Sequence, residues 1–228
     1  MSSYWNSFIE SVPWFLEAGV PVDARPPKEP GHWSPASSAF EKLFPSLDRL
    51  LRAAWTTDVR IGGVAYALFS WPTEDWTPAW LCRPPERAPV SGLFPAHAVL
   101  LASFGGIVER ADEPDTWLLN HNEVLTAAEA SHDASFLVEC AHVFPNGRIP
   151  LDTAAYYSIA REANGNTTLC ARESGHVLLF AQDHSFDHVA PWRECPEYTL
   201  YEMEGAPDFQ RWVETVAQQW LDATQEVM

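Results

Sequence analysis

The stretch that most constrains this fold is Phe94–Asn120, FPAHAVLLASFGGIVERADEPDTWLLN. Pro95 suits the first position of a helix, where a missing N–H costs nothing and a fixed φ helps. Val99, Leu100 and Phe104 follow at helical spacing. Gly105-Gly106 is then expected to stop the helix, because glycine enters the left-handed cap conformation without a Cβ clash. Ile107 and Val108 begin an extended run. Asp112-Glu113-Pro114-Asp115 reads as a turn, and Thr116 to Leu119 as a returning strand. The unit is a helix, a Gly-Gly step and a hairpin. It holds one histidine and no nucleophile paired with a base.

The flanking segments supply further elements. Tyr4 to Leu16 reads as a short amphipathic helix broken at Pro13, and Gly19 to Pro35 as a Pro-rich loop. Ser38-Ala39-Phe40-Glu41 fits a capping box that opens a helix toward Ala54, which Pro45 kinks or splits. Val59 to Trp71 reads as one long strand covered on both faces, with a bulge or bend at Gly62-Gly63. A second Pro-rich passage, Pro72 to Ser91, carries Trp76 and Trp80. Glu123 to Ala130 is helix-like by composition. Phe136 to Phe144 reads as a strand, and Pro145-Asn146-Gly147 as a turn. Ala154 to Ala160, Thr167 to Ala171, His176 to Ala181 and Tyr198 to Met203 read as strands. The last element is the clearest. Pro207 and Asp208 open a helix whose Phe209, Trp212, Val213, Val216, Trp220 and Leu221 form one continuous apolar stripe.

Strands and helices do not alternate regularly, so the expected class is α+β: a mainly antiparallel sheet flanked by helices, with a C-terminal amphipathic helix. The expected organisation is a single domain over 1–228, with 1–90 as an N-terminal elaboration. A chain that is 46% hydrophobic and 20% charged can bury a substantial core.

Charge narrows the function. Thirty-one acidic and 14 basic residues give a formal net charge of −17. A nucleic-acid backbone or an anionic membrane surface would be repelled, whereas a basic protein partner would be steered inward. Solubility alone is the competing use of such charge. The N-terminus lacks the basic and apolar regions of a signal peptide, and no apolar stretch approaches ~20 residues. Cys82, Cys140, Cys170 and Cys195 are widely spaced, with no CxxC pair. The expectation is a cytoplasmic protein with free thiols.

Chemical motifs are sparse. Asp183-His184-Ser185-Phe186-Asp187-His188 is the most metal-like cluster, since imidazoles and carboxylates are zinc ligands. It follows a strand and lacks the Glu of an HExxH site, so a polar turn is the preferred reading, with a metal-dependent hydrolase at Asp183, His184, Asp187 and His188 as the alternative. His121-Asn122-Glu123 matches the H-x-E fragment of zinc deaminases, but no P-C-x-x-C completes it. Cys140 and His142 would share a strand face, where buried packing is preferred over a nucleophile pair. No nucleophile elbow, phosphate loop or dinucleotide fingerprint is present, so no cofactor is expected. Glu202 and Glu204 share one strand face, as a solvated face or an acidic contact patch.

The order of elements from Leu93 onward resembles the SUKH superfamily of bacterial immunity proteins. The features that carry it are Phe94-Pro95 opening a helix, Phe104-Gly105-Gly106-Ile107 stepping into a strand, and Trp117-Leu118-Leu119-Asn120 as its partner. A late apolar strand then meets an acidic turn (Leu179-Phe180-Ala181-Gln182-Asp183, then Asp187), and the closing helix carries Phe209 and Trp212 on one face. The resemblance covers about residues 91–222. The turn at Asp183 to His188 lacks the glycines common in the family, and residues 1–90 have no counterpart in it. The resemblance implies a protein that binds and neutralises a polymorphic toxin, often a nuclease, by direct contact in the cell that makes it. Charge and position point to Asp183, Asp187, Glu202 and Glu204 as the contact acids for a basic toxin domain, with Trp76 and Trp80 as aromatic anchors. A regulatory or scaffold protein is the further alternative.

Overall fold

The computed structural model describes residues 3–114, 121–183 and 187–225. One sheet of eleven strands runs through the molecule, with every neighbouring pair antiparallel. The strands are β1 (Val22–Ala24), β2 (Trp55–Ile61), β3 (Val64–Ser70), β4 (Ala79–Cys82), β5 (Ile107–Ala111), β6 (His121–Val124), β7 (Tyr156–Glu162), β8 (Thr167–Ala171), β9 (Val177–Phe180), β10 (Val189–Pro191) and β11 (Leu200–Met203). Spatial order follows chain order except at the end, where β11 inserts between β9 and β10. Among the described residues five α-helices accompany the sheet: α1 (Ser3–Ser11), α2 (Ser38–Leu43), α3 (Pro45–Ala53), α4 (Pro95–Leu101) and α5 (Phe209–Gln225). The class is α+β, an antiparallel sheet flanked by helices, and strands from both sides of residue 90 share that sheet.

Helices α2 to α5 cover one face. Phe40, Phe44, Leu50, Phe209, Trp212 and Trp220 meet Phe69, Trp80, Ile107, Tyr157, Leu179 and Tyr201 from the sheet. Three indoles lock the centre edge-to-face: Trp80 and Trp220 centroids are 4.7 Å apart, and Trp71 lies 5.1 Å from Trp80. The opposite face is covered at its two ends by different segments. At the N-terminal end α1 places Trp5 and Phe8 over Val59, Leu68, Leu81 and Val108. At the other end, short 3-10 turns across residues 134–147 place Leu137 and Phe144 over Leu169, Leu178, Phe180 and Leu200. Covering on both faces explains the apolar run in β9, where Val177 and Leu179 face one core and Leu178 and Phe180 the other.

Several local expectations are corrected. Val59 to Trp71 belongs to a hairpin, not one strand: Gly62 (φ 58°) and Gly63 (φ 86°) make its two-residue turn, and β2 starts earlier, at Trp55. Pro45 splits the second helix into α2 and α3. The capping box at Ser38 does not form; Ser37 is the N-cap and makes no side-chain cap bond. The Gly-Gly step is not the helix stop either, since α4 ends at Leu101. Both glycines answer to crowding. A Cβ on Gly105 would lie 2.2 Å from the Pro84 carbonyl oxygen, and one on Gly106 2.6 Å from the Leu125 backbone. Glu123–Ala130 is the end of β6 followed by a 3-10 turn, and Phe136–Phe144 is 3-10 rather than strand. The expected strand over Thr116–Leu119 lies outside the described residues.

Candidate interaction surface

The C-terminal end of the sheet concentrates one sign of charge. Residues 1–90 carry ten acids and eight basic residues, whereas 91–228 carry 21 acids and six basic residues. In β11 the apolar positions Tyr201 and Met203 turn into the helix-covered core. Strand alternation therefore places Glu202 and Glu204 on the other side, both exposed. Edge strand β10 pairs Ala190 with Glu202 and Val189 with Met203. The Glu204 N–H donates to the His188 carbonyl at 2.8 Å, which sets Asp187 beside Glu204. Glu194 and Glu197, in the loop between β10 and β11, are also exposed, and Arg193 is the one Lys or Arg between Glu173 and Asp208.

Two histidines serve this patch. His188 Nδ1 lies 3.4 Å from Glu204 Oε2. His176 Nε2 lies 3.5 Å from Glu202 Oε1, and its Nδ1 is 3.2 Å from the Tyr156 hydroxyl. Burial raises the Tyr156 phenol, and that is the wrong direction for a nucleophile. No sequence spacing flags this trio, because the three residues come from β7, β11 and the turn before β9.

The expected contact residues do not all converge. Asp187, Glu202 and Glu204 gather at one end of β10 and β11. Asp183 is exposed, but it lies past the end of β9 near the opposite end of β11, where it accepts from Asn164 Nδ2 at 2.7 Å. Trp76 is half-buried in the loop between β3 and β4, where its N–H donates to Thr73 Oγ1 at 3.2 Å. Trp80 is corrected: it is 1% exposed at the middle of the indole trio and offers no surface to a partner. Among the described residues the exposed tryptophan is Trp14, 72% accessible just after α1, which the helical pattern had placed on an amphipathic face.

The metal-like cluster is likewise dispersed. Asp183 holds Asn164 and His188 faces Glu204, while His184 lies outside the described residues. Among the described residues, no group of three or more His, Cys, Asp and Glu is set to hold a metal ion. Cys140 and His142 sit in 3-10 turns rather than on a strand. Burial, then the neighbouring Glu139 charge, raises the Cys140 thiol, away from a thiolate. His97, Tyr157 and Cys170 do meet, but in the core. His97 Nδ1 is 3.1 Å from the Tyr157 hydroxyl and Nε2 3.1 Å from the Leu125 carbonyl. Desolvation lifts the Cys170 thiol to about 12. Glu129, also buried, receives Ser158 Oγ and is 3.1 Å from Arg161. These groups are sealed from substrate and tie α4 and a 3-10 turn to β7. The exposed ionisable groups along β11 and its flanking turns are mostly carboxylates.

Comparison with family models, with curated proteins and with solved structures finds no match. Among the described residues no helix is long and apolar enough to cross a membrane.

Proposed function

We propose that this chain is a non-enzymatic cytoplasmic binding protein of immunity type, which neutralises a basic toxin domain by direct contact. The observation that carries the reading is the acidic edge of the sheet: Asp187, Glu202 and Glu204 are exposed at one end of β10 and β11, and Glu194 and Glu197 in the loop at their other end, with Arg193 the one Lys or Arg among them. A charged surface of this kind steers a basic partner and can occupy a substrate groove built for phosphates. The SUKH-like order of elements supports the same reading: Pro95 opens α4, Gly105-Gly106 leads into β5, and Phe209 and Trp212 of α5 are buried on one face.

The test is co-purification of the untagged protein from its native lysate at low and high salt, in parallel with a Glu202→Lys/Glu204→Lys variant. The expected outcome is one basic partner, retained at low salt and released by high salt, with association at least about tenfold slower for the variant. Equal capture and equal on-rate for the variant would remove the acidic end from the interface. A neutral or acidic partner held regardless of salt would overturn the charge argument altogether.

A further inference from the structure

The turn after α1 sends one large side chain outward. The Phe15 N–H donates to the Val12 carbonyl at 3.1 Å, and both Val12 and Phe15 pack into the cluster under α1. Trp14, between them, is 72% exposed. A tryptophan in a core buries about 150–250 Å². Left in water, that surface is open to a partner, and tryptophan is enriched among the residues that carry binding energy. The indole is tethered at its N–H edge, where Nε1 donates to Glu109 Oε2 at 3.4 Å.

Glu109 reaches that edge through its place in β5. The register pairs Leu81 with Glu109 and Cys82 with Ile107, so Val108 is one residue extra at that step. Leu81 and Val108 belong to the cluster under α1, and Glu109 shares their face of the sheet. Its carboxylate is half-buried. Oε1 accepts the Arg110 N–H at 3.0 Å and Oε2 accepts the indole, and neither donor is a cation. The Arg110 side chain turns to the other face: its residue pairs with Trp80, and its guanidinium lies 2.7 Å from Glu113. Glu109 makes no ion pair among the described residues. Burial accordingly raises its pKa. The nearby chain offers no relief, since residues 1–24 hold Glu10, Glu17 and Asp23 and no Lys or Arg. At the end of β5, Asp112 adds a further acid, accepting Ser11 Oγ of α1 at 3.0 Å.

We propose that Trp14 and Glu109 together seat an arginine side chain of a protein partner, its guanidinium stacked on the indole and forked onto the carboxylate. An indole N–H lies in the ring plane, so the carboxylate it meets sits just past the edge of the ring. A guanidinium resting on the ring face overhangs that edge and brings its N–H groups to the carboxylate. Each carboxylate oxygen has used one lone pair and keeps another, which matches the parallel N–H groups of the fork. A lysine ammonium is a compact, strongly hydrated point charge and cannot stack and fork at once. An anion is repelled by Glu109, and an apolar side chain would bury that carboxylate further without a counter-charge. The seat is open rather than enclosed, so a free cation gains little from it, and the arginine has to arrive on a larger surface. The site goes beyond the toxin-binding reading and does not rest on it: β5 lies five positions from β11 in the sheet order.

The probe is acetyl-glycyl-arginyl-glycinamide, titrated into isotope-labelled protein and read at the Trp14 indole N–H resonance, which Trp14→Phe identifies by its loss. The same peptide carrying lysine, or the neutral arginine analogue citrulline, is the control. The arginine peptide is expected to shift that resonance saturably, with a millimolar midpoint suited to a single anchor. It should bind at least about threefold more tightly than the lysine peptide, and the citrulline peptide should give no saturable shift. Glu109→Gln keeps an acceptor for the indole but removes the charge, and should weaken the arginine peptide at least about fivefold. Glu29→Gln, at an exposed acid between β1 and α2, makes the same change in net charge and should leave binding unchanged. The comparison of arginine with citrulline uses the natural protein, so it decides the matter even where a variant fails to fold. No saturable shift at Trp14, equal binding of the lysine or citrulline peptide, no loss in Glu109→Gln, or an equal loss in Glu29→Gln would each overturn the proposal.

Discussion

Acid should weaken this protein through one buried histidine. His97 of α4 is fully buried, with its ring stacked on Tyr157 (centroids 5.6 Å, planes 16° apart) and 4.8 Å from Phe209. The Leu125 carbonyl can only accept, so Nε2 carries the proton and Nδ1 accepts from the Tyr157 hydroxyl. The phenol oxygen in turn accepts the Phe94 N–H at 3.3 Å. The neutral ring is therefore fully satisfied. A second proton would place a charge among aromatic rings and aim an N–H at a hydroxyl that already points its hydrogen there. Burial lowers the His97 pKa from 6.5 to about 4. Because the folded value is depressed, the neutral ring's stabilisation is complete above pH 6.5 and is lost as pH falls toward 4. The loss works out at about 2 kcal/mol by pH 5 and about 3 kcal/mol below pH 4.

The assay is urea unfolding followed by tryptophan fluorescence at pH 7.5, 6 and 5, on the natural protein and on His97→Gln. Glutamine keeps one donor and one acceptor but does not titrate. Relief of acidic self-repulsion on lowering the pH is common to both proteins and cancels in the difference between them. The variant is expected to be the less stable at pH 7.5, and the gap should shrink by about 2 kcal/mol at pH 5. A gap constant from pH 7.5 to 5 would refute the reasoning, since it would mean His97 takes up its proton equally in the folded and unfolded chain.

Two further outcomes follow from packing. Gly106→Ala puts a Cβ 2.6 Å from the Leu125 backbone at φ +85°, and should cost more than about 3 kcal/mol in the same urea assay. Glu214 of α5 accepts the Ser46 N–H at 2.9 Å and the Leu47 N–H at 3.2 Å, capping α3, whose own N-cap residue Phe44 supplies no side-chain bond. Glu214→Ala should therefore cost about 2 kcal/mol and Glu214→Gln about half of that, with the smaller loss isolating the carboxylate charge at the helix N-terminus.

Periodicity made much of this fold legible. The stripe Phe209 to Leu221 fixed α5, Pro95 marked the start of α4, and the apolar run at His176–Ala181 marked β9. The failures have local causes. Val59–Trp71 reads as one strand because alternation continues across Gly62-Gly63, and a two-residue turn reverses direction without breaking a period of two. Phe136–Phe144 carries the β-rich composition FLVECAHVF, yet it is 3-10 because its Leu137 and Phe144 cap a sheet face already filled with strands. Of the four acids proposed to meet a partner, the shared exposed face of Glu202 and Glu204 was legible from strand alternation. That Asp183 points to the far end of the same strands was not, since it depends on the turn after β9. Trp80 was misplaced because a tryptophan in a Pro-rich passage looks like an exposed anchor, whereas residues 79–82 form a strand buried on both faces.

The arrangement of charge bears on whether acidity serves only solubility. Solubility asks for net charge and is indifferent to where it lies. Edge protection, the other general use of surface charge on a sheet, is already met here: β1 and β10 are each three residues long, β1 has Asp23 at its centre, and β10 ends in Pro191. Neither requirement explains a near-balanced N-terminal 90 residues followed by 21 acids against six basic residues. Charge reversal at Glu202 and Glu204 should therefore slow association with a basic partner more than an equal change of net charge within residues 1–90.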